Sequence, residues 1–302
     1  MNKQNDSKMN LVKLIAEYDS ESKCRERLAE LRWPDGVTCP RCQSKSISRI
    51  KEREQYDCNK CRYQFSATSG TIFHDSHLPL SKWFLATYLM TESRKGISAN
   101  QIKRTLGIAY QTAWYLCHRI RAAVREVNAE LLKGIVEVDE TYVGGKVRGR
   151  GQGYKGNKAV VIGAVEREGE IRLRVIRAPS KYELHKFIHE TTEPSCEAIY
   201  TDELPAYKGI ADADTRHETV NHEADEWVNG DVHTNSVENV WSLLKRSVVG
   251  TYHKISVKHL DAYLDELEFR FNNRKNEFLF RDTLLKLVRA EALPYEKLTK
   301  AA

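Results

Sequence analysis

Two pairs of cysteines place the strongest constraint on the fold of this chain. The first pair, in "CPRC", is Cys39 and Cys42; the second, in "CNKC", is Cys58 and Cys61, and fifteen residues separate the pairs. Each pair predicts a tight turn, and four converging thiolates complete the tetrahedron that Zn²⁺ prefers. So short a segment cannot bury enough apolar surface to fold unaided, and metal binding would supply the missing free energy. We therefore predict a zinc ribbon over residues 36–70 with one structural Zn²⁺.

Two unrelated redox pairs would be the alternative, but the strand–helix–strand surroundings of a redox CxxC are missing. The other three cysteines, Cys24, Cys117 and Cys196, are expected to be ordinary buried or surface thiols. His74 and His77 stand nearby at HxxH spacing. Because four sulfurs already fill a structural site, we interpret both histidines as structural or solvated.

Charge is distributed unevenly along the 302 residues, whose total net charge is +6. Residues 1–134 hold 23 Lys/Arg against 14 Asp/Glu, whereas residues 135–302 hold 25 against 28. The first half is therefore net +9 and the second net −3, which favours a polyanion as the partner of the first half. A basic solvated surface would give the same count.

Hydropathy indicates a water-soluble protein. The chain is 41% hydrophobic and 30% charged, enough apolar residues for a packed core. No apolar run approaches membrane-spanning length, and the first ten residues, "MNKQNDSKMN", lack the apolar core of a signal peptide. We expect a cytoplasmic, nucleoid-associated protein of bacterial type with reduced thiols and no membrane partner.

Helical spacing surrounds the cysteine segment, in an N-terminal helical segment (1–35) and in a second region over 78–131. Within that region, Ser98 is a candidate N-cap and Gly107 marks a turn between two helices. This is the plan of a helix-turn-helix. Helix pairs joined by glycine are often merely structural, but the neighbouring ribbon and the basic charge favour DNA binding.

The second helix of a helix-turn-helix enters the major groove. Basic residues toward its end, Arg119 and Arg121, are therefore candidate DNA contacts.

A glycine-rich loop follows at residues 144–158. Its "GQGYKG" matches GxGxxG, but a strand-like stretch rather than a helix comes next, so we reject a dinucleotide site. The loop carries basic residues and no acid, and Lys146, Arg148 and Arg150 are candidate contacts to a phosphate backbone. A solvated hairpin loop is an equally good interpretation.

The stretch before this loop, "GIVEVDETYVGG" (134–145), is a predicted strand that contains three acids. With a side-chain period of two, Glu137 and Asp139 point to one face and Glu140 to the other. Two carboxylates on one face repel each other and call for a counter-charge. Hard divalent cations supply it, and Mg²⁺ prefers a few carboxylates together with water and phosphate oxygens.

Asp139 has two candidate companions further along the chain. Asp202 follows a predicted strand at its carboxyl end, where sites in α/β folds tend to lie. Glu238 stands near the start of a predicted helix and shares one helical face with Lys245. The predicted order of strands and helices matches an RNase H-like fold: strands at 135–143, 159–166, 170–177 and 196–201, and helices at 181–191, 236–248 and 257–273.

From about residue 30 to about residue 280 the sequence resembles the DDE insertion-sequence transposases that carry an N-terminal zinc ribbon, the ISXO-like group. The motifs that carry the resemblance are "CPRCQS", "YDCNKCRYQFSATSGTIFHDSHLPLSKWF", "KGISANQIKRTLGIAYQTAWYLCHRIR", "VEVDETYVGGK", "YTDELPAYKG" and "HTNSVENVWSLLKR".

The resemblance implies that Asp139, Asp202 and Glu238 are the three catalytic acids, which would hold two Mg²⁺ (or Mn²⁺) ions. It also implies DNA contact by Lys245, and we include the adjacent Arg246. Glu137 and Glu140 are not members of this set by resemblance. Because Glu137 shares the face of Asp139, it is expected to tune the site or to pair with a base.

We therefore expect an α/β protein in which an RNase H-like catalytic domain, a mixed sheet with flanking helices, follows a zinc ribbon and a helix-turn-helix. The expected activity is that of a DNA transposase, in which the first two modules bind the terminal inverted repeats. The catalytic domain would cut the element ends and transfer the 3′-OH to target DNA, within a homodimer or larger synaptic oligomer.

Two rival functions share these features: a domesticated DNA-binding regulator and an RNase H-like structure-specific nuclease. The expected domain limits are 1–35, 36–70, 78–131, 132–280 and a C-terminal helical tail at 281–302.

Overall fold

The structure is a computed structural model, and it describes residues 8–144, 158–211, 215–220 and 232–300. The chain divides into two compact units. The first unit combines the chain up to Arg125 with the segment from Lys275 onward, and the second comprises Glu126–Arg274.

The first unit begins with two helices, α1 (Leu11–Glu17) and α2 (Glu21–Arg32). Side chains of Asn10 and Ser20 cap them by accepting backbone N–H groups of their first turns. A small antiparallel sheet follows, in the order β1 (Ile47–Ile50), β2 (Gln55–Cys58) and β3 (Gln64–Phe65).

Aromatic rings support this small sheet. The Trp33 ring meets the rings of Tyr56 and Phe65 edge-on, and Tyr63 stacks on Phe65. These rings and the cysteines belong to one apolar cluster, which forms the core of this small sheet.

Three further helices complete the N-terminal part of this unit: α3 (Leu80–Glu92), α4 (Ala99–Leu106) and α5 (Tyr110–Val124). The Ser98 side chain caps α4 as expected, and Gly107 ends it in the left-handed conformation with φ 60°. Helices α4 and α5 thus form a helix, turn and helix at the predicted place.

The last two helices, α9 (Leu279–Arg289) and α10 (Tyr295–Thr299), belong to the first unit. The sequence-based division instead treated residues 281–302 as a separate tail. The apolar face of α9 explains the difference: Phe280 packs on the rings of Tyr18 and Phe84, and Leu284 and Leu287 are completely buried.

The second unit is built on a five-stranded sheet. Its strands are β4 (Ile135–Val143), β5 (Ala159–Glu166), β6 (Ile171–Ile176), β7 (Ala198–Asp202) and β8 (Arg216–Val220), in the order β6-β5-β4-β7-β8. The first three strands are antiparallel, and β7 and β8 continue the sheet in parallel with β4. This mixed sheet confirms the predicted RNase H-like order.

Helices cover both faces of this sheet. Helix α6 (Lys181–Thr191) packs on one face, and α7 (Asn235–Ser247) and α8 (Leu260–Asn272) pack on the other. The central strand β4 contributes to both cores, because its side chains alternate between the faces. The observed bounds of α6, α7 and α8 lie within three residues of the predicted ones at each end, whereas β8 was missed by the sequence analysis.

Within the described ranges, no helix combines the length and the hydropathy needed to cross a bilayer.

Gly163 of β5 allows α7 to approach the sheet closely. It pairs with Asp139, and the Trp241 ring of α7 lies directly above it. A Cβ atom at this position would lie 2.6 Å from Cη2 of Trp241 and 3.0 Å from Cδ2 of Leu173. Glycine is therefore required here by space, since the backbone of β5 is ordinary extended strand.

We expect Gly163→Ala to destabilise the second unit by about 1–3 kcal/mol, because the added methyl group overpacks a filled core. Urea denaturation followed by circular dichroism measures this loss. Gly250→Ala is the matched control, because nothing lies within 4 Å of the position that its methyl group would take. Equal midpoints for the two variants would contradict the close approach of Trp241.

Candidate active site and zinc centre

Three carboxylates converge where β4 and β7 separate. The two strands pair in parallel from Ile135 to Glu137, and Asp139 and Asp202 lie just beyond the last pair. One carboxylate oxygen from each of Asp139, Glu140 and Asp202 can be chosen so that all three lie within 4.8 Å of one another. Two of the three predicted acids are therefore brought together, with an acid that was not predicted.

The surroundings of Asp139 shift the pKa of its carboxyl. The indole Nε1–H of Trp241 donates to its Oδ2 at 2.7 Å. Although the residue keeps some accessible surface, protein surrounds its carboxyl; this burial, followed by the charge of Glu140, raises the pKa of Asp139 to about 7. The fold thus buries a carboxylate beside two other acids, which is the condition that a divalent cation relieves.

Glu140 was expected on the far face of β4, away from Asp139. Its hydrogen bond agrees with that face, since the Tyr207 hydroxyl that donates to its Oε2 at 2.8 Å belongs to the core under α6. The carboxylate nevertheless reaches the oxygens of Asp139 and Asp202, because the side chain is long and lies at the end of the paired region. Burial and the charge of Glu140 hold the pKa of Tyr207 well above its usual value, so the hydroxyl remains a donor.

Glu238, the predicted third acid, lies in the first turn of α7. Its Oε1 accepts a hydrogen bond from the Thr234 hydroxyl at 3.2 Å. Among the described residues, the carboxylate cluster consists of Asp139, Glu140 and Asp202 and does not include Glu238. Glu238 nevertheless lies near the start of a helix, as predicted. Trp241, about one turn further along the same helix, contacts Asp139.

The predicted DNA contacts differ in their environments. Lys245 and Arg246 are exposed near the end of α7, as a DNA contact requires. The predicted loop contacts Lys146, Arg148 and Arg150 lie outside the described residues.

The prediction of DNA contact by Arg119 and Arg121 was wrong, because their exposed fractions are only 3% and 1%. Arg119 stacks on the Trp83 ring and donates to the carbonyl of His74 at 2.7 Å. The second half of α5 is buried on nearly all sides. Residues distant in the sequence, such as Trp83 and His74, cover it.

The four predicted zinc ligands form a second cluster. The Sγ atoms of Cys39 and Cys61 are 3.6 Å apart, and those of Cys42 and Cys58 are 3.5 Å apart. Four sulfurs at a Zn–S distance of 2.3 Å would be separated by about 3.8 Å at the corners of a tetrahedron. The cluster therefore fits one Zn²⁺ with a small expansion. Cys24, Cys117 and Cys196 are buried thiols, as expected.

The backbone prepares the two cysteine turns in the same way. Gln43 N–H donates to the Cys39 carbonyl, and Arg62 N–H donates to the Cys58 carbonyl. Gln43 and Arg62 both take positive φ angles, 57° and 58°. Equal conformations at equivalent positions, without glycine at either, indicate two matched turns that present their sulfurs to one point.

Electrostatics also favour a thiolate in the second turn. Burial of Cys58 opposes ionisation, but backbone N–H groups of Cys61 and Lys60 outweigh it and lower the pKa of Cys58 to about 6. A thiolate is the form that binds zinc.

Acids gathered where the first and fourth strands of an RNase H-like sheet separate are the arrangement expected of a DDE transposase. Sequence similarity to known protein families supports the same class. Residues 131–272 match the family described as the ISXO2-like transposase domain, and residues 19–64 match the transposase zinc-ribbon domain.

A protein of Halobacterium salinarum, described as an uncharacterized protein in transposable element ISH50, is 30% identical over 278 residues. The match covers 85% of this chain and 92% of that protein. The chain therefore belongs to the ISXO2-like transposase family.

The chain also has distant similarity to solved structures. The Mos1 strand transfer complex is 11% identical and covers 68% of this chain and 74% of its own, with a TM-score of 0.29. The simian T-cell lymphotropic virus intasome, solved with PP2A regulatory subunit B56 gamma, is 15% identical and covers 55% and 63%, also with a TM-score of 0.29. Scores this low support no further conclusion.

We expect the metal-free protein to lose stability as the pH rises, because the folded state holds the Asp139 proton to about pH 7 while the unfolded chain releases it near 3.8. This contribution is present below about pH 4 and is lost by about pH 7. Asp139→Asn keeps a neutral side chain at every pH, so at pH 8 it should be more stable than wild type by a few kcal/mol, at roughly 1.4 kcal/mol per pKa unit.

Urea denaturation in EDTA at pH 5 and pH 8 measures this difference. Burial also raises the pKa of Glu268 to about 7, but comparing the two proteins at each pH cancels its contribution. The same pH slope for wild type and Asp139→Asn would contradict the assignment.

We expect Cys58→Ser to release zinc and to abolish specific DNA binding by the first unit while the second unit stays folded. Metal analysis of the purified protein, together with gel-shift titration on the DNA of the element end, measures both effects. Cys24→Ser, which changes a buried thiol outside the cluster, should retain one zinc per chain. Zinc-free Cys58→Ser that binds DNA as tightly as wild type would contradict the role of the ribbon.

Proposed function

We propose that the protein is a DNA transposase that binds the terminal inverted repeats of its own insertion sequence, hydrolyses the phosphodiester at the element ends and joins the freed 3′-OH to target DNA. The observation that carries the proposal is the cluster of Asp139, Glu140 and Asp202, within 4.8 Å and centred on an acid whose pKa burial has raised. Membership of the ISXO2-like transposase family supports the same reaction.

Asp139 and Asp202 would hold divalent metal, Mg²⁺ or Mn²⁺, with Glu238 as the third acid of a two-ion site. Carboxylate oxygens and water are the ligands these ions prefer. When bound, a pair of such ions activates the attacking hydroxyl and stabilises the leaving oxygen of a phosphodiester.

The side chains around the acids orient them before any ligand arrives. Trp241 fixes one oxygen of Asp139, and Tyr207 fixes one oxygen of Glu140. Preorganised ligands of this kind reduce the cost of assembling the site. The exposed Lys245 and Arg246, at the far end of α7, would contact phosphates of the bound DNA.

The exposed part of the helix-turn-helix is the proposed surface for the inverted repeats. In α4, Lys103 and Arg104 are exposed, and in the first turn of α5, Gln111 and Thr112 are exposed. The first residues of a second helix are those that read base edges in helix-turn-helix proteins. A cleft of about 560 Å³ opens beside them and is partly lined by Tyr115. These residues replace the buried Arg119 and Arg121 as DNA contacts.

Transposition joins two element ends to one target, so each reaction needs two catalytic units. We therefore propose that the active form is a homodimer or a larger assembly on DNA.

We expect Asp139→Asn, Asp202→Asn and Glu238→Gln each to lower strand cleavage by at least about 100-fold, because each removes a group that acts at the reacting phosphate. The measurement uses a labelled duplex that carries the element end, with Mg²⁺ or Mn²⁺, and scores new 3′-OH ends. Glu203→Gln is the matched control, because Glu203 follows Asp202 directly but is exposed.

Cleavage that survives in all three variants would rule out the carboxylate mechanism. Zinc-dependent DNA binding by wild type without any cleavage would instead indicate a DNA-binding regulator.

A further inference from the structure

Glu137 is the most deeply buried acid among the described residues of the second unit, and it has no place among the proposed metal ligands. It lies on β4, two residues before Asp139, and its exposed fraction is 0%. An isolated carboxylate buried to this extent would be strongly unfavourable. The groups that contact this carboxylate therefore indicate its role.

The start of helix α7 surrounds this carboxylate. The backbone N–H groups of Ser236 and Val237 donate to Oε2 of Glu137 at 2.7 Å and 3.2 Å, and the Ser236 hydroxyl donates to Oε1 at 3.0 Å. The N-cap residue of α7, Thr234, makes no capping hydrogen bond with its own side chain. Glu137 thus satisfies N–H groups that a local cap usually satisfies, and it does so from a strand about a hundred residues earlier.

An arginine and a histidine also meet this carboxylate. The Nε of Arg167 donates to Oε1 at 2.9 Å, and its guanidinium lies 4.9 Å from the centre of the Tyr200 ring. The Nδ1 of His233, just before α7, is 3.2 Å from Oε1. The positive end of the helix dipole adds a further favourable charge. The carboxylate is therefore a fixed anchor with partners on α7, on the segment just before it and on the turn that follows β5.

A second contact joins the same helix to the same strand. The Trp241 indole donates to Asp139 at 2.7 Å, so β4 holds α7 through Glu137 at its first turn and through Asp139 about one turn later. Glu238, the proposed third acid, lies between these two anchors along α7. The position of Glu238 relative to Asp139 therefore depends on both contacts.

We infer that Glu137 is a positioning residue for the metal site, which anchors the N-terminus of α7 so that Glu238 and Trp241 are held in place beside Asp139. The inference rests on the proposed function, since it presumes that these acids bind divalent metal. Glu137 contacts no metal and no DNA in this role. It acts through the helix.

The consequence of losing this anchor is specific. Glu137→Gln keeps one acceptor oxygen, but its amide NH₂ faces groups that are themselves hydrogen-bond donors. Arg167 also loses its carboxylate partner. The first turn of α7 then loses its fixed position, and metal affinity falls. Partners of this kind, one layer away from a metal, typically contribute 10- to 100-fold to affinity.

The experiment titrates Mn²⁺ into the full-length protein and follows the free Mn²⁺ signal by electron paramagnetic resonance, without DNA or turnover. We expect Glu137→Gln to weaken Mn²⁺ binding by at least about 10-fold. Ser236→Ala removes only the hydroxyl contact and leaves the backbone donors, so it should weaken binding in the same direction but less.

Glu266→Gln is the matched control. Glu266, on α8, is also a buried carboxylate and is 3% exposed. Its Oε1 lies 3.3 Å from Nε of Arg270 and accepts a hydrogen bond from the Tyr252 hydroxyl at 3.0 Å. Its loss should lower the melting temperature as Glu137→Gln does but leave Mn²⁺ affinity unchanged. A purely structural role for Glu137 predicts equal Mn²⁺ affinities for the two variants.

The outcomes separate this inference from the proposed function. Failure of wild type to bind Mn²⁺ would contradict the proposed metal site itself. Tight binding by wild type with the same affinity in Glu137→Gln would overturn only the positioning role. If Glu137→Gln does not fold, Ser236→Ala decides: weaker binding than Glu266→Gln supports the inference, and equal binding overturns it.

Discussion

The burial of neighbouring carboxylates where β4 and β7 separate is the constraint on which the second unit depends. Asp139 lies among protein atoms with Glu140 and Asp202 close by, so the metal-free site holds it with a pKa near 7 rather than 3.8. This is unfavourable for the fold at neutral pH, and it is offset by the packing of the sheet between its helices. A site that is destabilised without a cation and stabilised with one is the expected design for metal-dependent chemistry.

Strand β4 connects both halves of the core to this site. Toward α7 it presents Glu137 and Asp139, which hold the helix by its N-terminus and by Trp241. Toward α6 it presents Glu140, which is held by Tyr207. The close packing of α7 is possible because β5 has glycine at the crossing point. The arrangement of the acids is therefore a property of the whole unit and not of one loop.

Short-range patterns predicted what local chemistry determines, namely the ribbon ligands, the strand that carries Asp139 and the acid at the end of β7. They failed where distant partners decide. The alternation rule placed Glu140 correctly on the far face, but it could not show that the carboxylate reaches Asp139 where the strands separate. The arginines of α5 were expected at DNA, but Arg119 is buried against Trp83 and the carbonyl of His74, more than thirty residues earlier.

The central claim is that the fold holds the strand-end acids ready for divalent cations. A crystal structure of the protein grown with Mn²⁺, with anomalous data collected to locate the ion, tests it most directly. Our account predicts an anomalous peak within coordination distance of Asp139 and Asp202. Absence of a peak there, with the acids paired instead to lysine or arginine side chains, would contradict it.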